Sequence, residues 1–105
     1  MEREFFGITG VDEAAVRSEK EKARKLRKSR WWQQRIASGI CHYCGRRFAP
    51  RELSMDHVVP LSRGGRSTKG NLVPACKGCN TAKKTMLPME WEAYLERLRQ
   101  ESREG

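Results

Sequence analysis

Cys41-His-Tyr-Cys44 and Cys76-Lys-Gly-Cys79 repeat one spacing, and between them run Met55-Asp56-His57-Val-Val-Pro60 and Asn71-Leu-Val-Pro74. That arrangement decides the fold. Two thiolates separated by two residues can grip one metal ion from a tight turn, and two such turns complete a tetrahedral zinc site. The same cysteines could instead form two disulfides or a redox dithiol. The opening Met1-Glu-Arg-Glu-Phe-Phe6 lacks the basic start and apolar core of a secretory signal, which argues against disulfides. A redox dithiol has no use for a duplicate, so structural zinc on Cys41, Cys44, Cys76 and Cys79 is the expectation. The stretch 45–75 is longer than the ~15–20 residues that separate the pairs of a short zinc ribbon. Something further is built inside it.

The whole chain has 105 residues, room for one domain with a thin stability margin that a metal staple would widen. Barrels and dinucleotide-binding folds are excluded on length. Charged residues make up 33% and mean hydropathy is −0.82, and no apolar run approaches the ~20 residues of a membrane span. No membrane partner is expected. Twenty-two Lys and Arg against thirteen Asp and Glu give a formal charge of +9 and a pI near 9.9, which points to a polyanionic partner, most simply nucleic acid.

The positive charge is concentrated. Arg17, Lys20, Lys22, Arg24, Lys25, Arg27, Lys28, Arg30 and Arg35 crowd one segment that holds only two acids, Glu19 and Glu21. No Pro or Gly interrupts residues 11–38, and Thr9 to Asp12 reads as a capping box, so a helix is predicted. Its apolar stripe is only Val16, Ala23 and Leu26. Such a helix is either a mobile basic arm or one ordered by a phosphate backbone. Trp31, Trp32 and Ile36 read as core beside the first cysteine pair, and His42 as a surface residue of that turn. Leu53–Val59 and Asn71–Pro74 read as short extended pieces, with a short helix from Lys77. Pro88 opens a final amphipathic helix whose stripe, Trp91, Leu95 and Leu98 with Tyr94 beside it, is predicted to pack on the core.

Within the cysteine frame, each polar residue suits a distinct task. His57 is a side chain able to take a proton near neutral pH. Asp56 is a hard oxygen donor suited to Mg2+ or Mn2+. Neighbours in a strand point to opposite faces, so the two diverge and can serve one site from different sides. Asn71 can hold an imidazole in one tautomer, and Asn80, directly after the last cysteine, is fixed in place by the structural metal.

Across roughly residues 40–85 this order resembles the HNH endonucleases. The resemblance implies a small zinc-stapled α+β domain with a ββα-metal (His-Me finger) core, flanked here by a basic N-terminal helix and a C-terminal amphipathic helix. It further implies that Asp56 and Asn80 hold a catalytic divalent ion, His57 is the general base, and Asn71 orients His57 and braces the hairpin. Asn80 stands where the family more often has His. Lys84 falls where some members have a further metal His. Two oxygen donors therefore favour Mg2+ or Mn2+ over zinc at that centre.

On this reading residues 1–38 are a basic helical arm and residues 39–105 the nuclease domain. Double-stranded DNA is the expected partner. Arg46, Arg47, Arg63, Arg66, Lys69, Lys83 and Lys84, with Lys25, Lys28 and Arg30 of the arm, are the candidate phosphate contacts. The expected activity is nicking by a monomer or homodimer, in a cytoplasmic, bacterial or phage-encoded setting by resemblance. The alternative is a zinc-ribbon nucleic-acid-binding module without catalysis.

Overall fold

A computed structural model describes residues 12–104. Asp12 caps helix α1 (Glu13–Arg27), its carboxylate accepting from the Ala14 N–H at 3.1 Å, while Arg24, Lys25 and Arg27 in the last turn oppose the helix dipole. Thr9, read as part of a capping box, lies outside the described residues. The continuous helix expected over this segment is in fact two. At Ser29 the hydroxyl accepts from the Trp32 N–H and donates to the Leu26 carbonyl, ending α1 and starting α2 (Arg30–Ala37). A serine satisfies an orphan amide better as an N-cap than inside a helix, which is why the chain turns there.

The helical pair does not stand clear of the rest. Ala23 and Trp32 are each 2% exposed, and Val16, Leu26 and Ile36 are half-buried. The thin stripe seen in the sequence is thus the seam by which α1 and α2 lie against the remainder of the chain. Gly39 follows α2 at φ +73°, where a side chain would run into the Phe48 carbonyl.

The centre is a ββα unit. Strand β1 (Leu53–His57) pairs antiparallel with β2 (Leu72–Cys76), with Leu53 opposite Cys76, Asp56 opposite Val73 and His57 opposite Leu72. A sheet of two strands is marginal alone. Here every residue of β2 is buried, and the core of Cys41, Leu53 and Cys76 is lined by Ile36, Tyr43 and Phe48. Cys76 ends β2 and caps α3 (Lys77–Lys83), its sulfur accepting from the Cys79 N–H at 3.4 Å.

The loop joining the strands folds back on itself. Asn71 clamps it: its Oδ1 accepts from the Val59 N–H at 2.9 Å, and its Nδ2 donates to the Val59 and Arg66 carbonyls at 3.1 and 2.9 Å. Gly65 has to be glycine, because a Cβ there would overlap the Val59 carbonyl. Helix α4 (Pro88–Glu104) starts where proline predicts it. Trp91 is buried against Tyr43, with ring centroids 5.6 Å apart, and stacks on Tyr94. Leu98, expected to pack, is 44% exposed, because α4 continues beyond the small core and has nothing to lie on. No helix among the described residues is long and apolar enough to cross a membrane.

Candidate metal centre and active site

The four cysteine sulfurs lie within 4.8 Å of one another, and Cys44 and Cys76 are 4.0 Å apart. Four thiolates at the usual metal–sulfur distance of ~2.3 Å would sit about 3.8 Å from each other, so the cluster is set to hold a tetrahedral metal ion. Backbone donors already face it: the Tyr43 and Cys76 N–H groups donate to the Cys41 sulfur, both at 3.4 Å. Desolvation opposes ionisation of Cys44, but donation from the Arg46 backbone and guanidinium outweighs it and lowers the thiol pKa to about 6. Burial drives Cys79 the other way. Four clustered thiols, two of them buried, need a cation to lose their last protons, which couples metal binding to proton release.

Among the described residues the buried polar side chains are Asp56, Ser67 and Lys83, and all three converge on the end of β1. Alternation along the strand sends Asp56 and His57 to opposite faces. On the α3 face, the Asp56 Oδ2 accepts from the Tyr43 phenol at 2.6 Å and lies 3.3 Å from the Lys83 ammonium. Lys83 has no exposed surface, and its Nζ also donates to the His57 carbonyl at 3.3 Å. The phenol is held in its protonated form, first by burial and then by its bond to Asp56. Tyr43 sits between Cys41 and Cys44, so the turn that could grip a metal ion also fixes the carboxylate.

One helical turn before Lys83, Asn80 faces the same strand surface, its Nδ2 donating to the Ser54 hydroxyl at 3.1 Å. The remaining oxygens, Oδ1 of Asp56 and Oδ1 of Asn80, accept no hydrogen bond from the described residues. Both are hard donors on facing surfaces of β1 and α3, a donor set that fits a hard divalent cation. Lys83 offers the competing charge.

On the other face, the His57 Nε2 lies 2.9 Å from the Ser67 hydroxyl. Ser67 in turn donates through its hydroxyl to the Glu19 carbonyl, and through its N–H to the Glu19 carboxylate at 2.6 Å. Burial lowers the imidazole pKa, with Asp56 and Glu19 opposing and Arg27 and Lys83 reinforcing the shift. The ring is therefore neutral and able to accept a proton over the neutral pH range. Asn71 reaches the imidazole only indirectly. All three of its side-chain bonds go to the loop that leaves His57.

The candidate phosphate contacts divide. Arg63 is occupied by a two-pronged pair with Glu90 at 3.1 Å and by the Thr85 carbonyl. Lys83 is sealed against Asp56 rather than lying on a surface path, because its stem crosses the α3–β1 seam. Arg46 leans on the Cys44 thiol, and Lys69 sits over the Trp31 ring at 5.7 Å. Arg47, Arg66, Lys84, Lys25, Lys28 and Arg30 are exposed.

Sequence reading did not single out Tyr43, Ser67 or Glu19 for the site. Glu19 had left a trace, as one of two acids in the basic run. No curated protein matches the chain. Against protein-family models, residues 41–85, from the first cysteine to just beyond α3, match HNH endonuclease.

Proposed function

We propose that the chain is a divalent-cation-dependent endonuclease that hydrolyses DNA phosphodiester bonds, cutting one strand per active centre, on a scaffold stapled by structural zinc. The observation that carries this reading is the end of β1: the His57 imidazole on one face, and on the other the Asp56 and Asn80 Oδ1 oxygens, which accept no hydrogen bond from the described residues. A plain binding module has no need of that pairing. Asp56 and Asn80 are the residues that would hold Mg2+ or Mn2+, whose positive charge would offset charge developing on the phosphate and the leaving oxygen.

His57 accepts a proton from water. The hydroxide so formed attacks phosphorus, the bond to the 3′-oxygen breaks, and the products are a 5′-phosphate and, once protonated, a 3′-hydroxyl. Tyr43 and Lys83 hold the Asp56 carboxylate in one orientation, and Asn71 keeps the loop after His57 from collapsing. The exposed cations Arg47, Arg66, Lys84, Lys25, Lys28 and Arg30 supply phosphate contacts, which position DNA without reading its sequence.

One observation favours a second reading, a zinc-stapled nucleic-acid-binding module without catalysis. The Lys83 ammonium already neutralises Asp56. Supercoiled plasmid separates the two. With Mg2+ or Mn2+ the endonuclease yields relaxed circles before linear DNA. The binding module leaves the plasmid supercoiled in either metal while still retarding it in a gel.

A further inference from the structure

We propose that Ser67 and Glu19 are positioning residues for His57, fixing its tautomer so that Nδ1 is the nitrogen left to accept a proton. Helix α1 is thereby part of the active centre. The inference rests on the reading of His57 as the base.

The proton inventory of the His57–Ser67–Glu19 contact decides the tautomer. A serine hydroxyl has a single proton. Ser67 gives that proton to the Glu19 carbonyl, so towards the His57 Nε2 at 2.9 Å it can only accept. The imidazole must then carry its proton on Nε2, and in the neutral ring Nδ1 keeps a bare lone pair. Glu19 grips the same residue twice, since its carboxylate also accepts from the Ser67 N–H at 2.6 Å. Ser67 is 6% exposed, so bulk water has little access to substitute for either partner. The carboxylate is itself steadied by Lys22 at 3.0 Å.

The contact spans 48 residues of sequence and joins α1 to the strand loop, and Glu19 lies outside the segment matched by the family. What reads as a DNA-binding arm therefore also seats the base. A bare arm would change DNA affinity alone when altered. A seat for the base changes the chemical step.

The test is imidazole 15N NMR on the zinc-loaded full chain, at a pH where the ring is neutral, alongside single-turnover cleavage with Mn2+. Wild type is expected to show Nε2 protonated and Nδ1 bare. Ser67→Ala is expected to give exchange-averaged nitrogens and to lower the cleavage rate about ten- to a hundredfold, a common cost of removing a histidine's outer partner. DNA affinity should hold, and Ser67→Thr, which keeps the hydroxyl, should recover most of the rate.

A wild-type ring protonated on Nδ1 overturns the proposal. So does a Ser67→Ala protein with wild-type rate and an unchanged spectrum. If wild type cuts no DNA the endonuclease reading fails, and the spectra alone decide the seat. If Ser67→Ala does not fold, the wild-type spectrum decides it: a ring protonated on Nε2 supports the seat and one protonated on Nδ1 overturns it.

Discussion

Lys83→Met removes the ammonium that faces Asp56 while keeping most of the apolar stem. The carboxylate is then left in a site that is 9% exposed, with the Tyr43 phenol as its remaining side-chain donor. Breaking a buried ion pair from one side costs about 3–5 kcal/mol, against up to about 1 kcal/mol for an exposed pair. Lys83 has no exposed surface, so the larger figure applies. A domain is stable by only ~5–15 kcal/mol in total, so the loss is a large share of it. Urea denaturation at saturating zinc measures the change. Adding Asp56→Asn removes the stranded charge yet can still accept from Tyr43, so the double variant should be more stable than Lys83→Met alone. Mn2+ offers a replacement charge. At a hundred times its Kd it should stabilise by about 2.7 kcal/mol, and it should bind Lys83→Met more tightly than wild type. A loss under about 1 kcal/mol, or a double variant no better than the single, would refute the reasoning.

The other predictions concern the frame around the site. Removing the structural metal with a chelator, or substituting Cys44→Ser, should lower the thermal midpoint sharply, with one zinc per chain measured before treatment; an unchanged midpoint would mean the cysteine cluster is not a staple. Asn71→Ala strips three hydrogen bonds from the loop after His57 and should cost roughly 2–3 kcal/mol, at about 1 kcal/mol per bond, with slower cleavage, both read on one preparation. Lys84 holds a positive φ of 47° at the end of α3, so Lys84→Gly should relieve about 1 kcal/mol of strain and raise the midpoint by a few degrees.

The residues that could be read from the sequence are those whose meaning is local. Cysteine spacing carries the metal turn, Pro88 starts α4, and Asp56 beside His57 in a short β-prone run puts two chemistries on two faces. The family resemblance over residues 40–85 agrees with the matched segment 41–85. What escaped is the set of contacts made across long loops. Lys83 beside Lys84 reads as a pair of phosphate contacts. Only the packing of α3 on β1 shows that one points inward while the other is exposed. The seating of α1 depends on Glu19 meeting Ser67, and no periodicity announces a contact between residues so far apart. The break at Ser29 escaped because a run of strong helix formers on either side concealed it.

Single-turnover cleavage of a labelled duplex by wild type and His57→Ala, with duplex affinity measured in parallel with Ca2+ in place of Mg2+ or Mn2+, tests the role of His57 most directly. Loss of a general base should slow cleavage by about a hundred- to ten-thousandfold and leave affinity within twofold of wild type. Equal cleavage by the two proteins, or a rate loss wholly matched by a loss of binding, would contradict it.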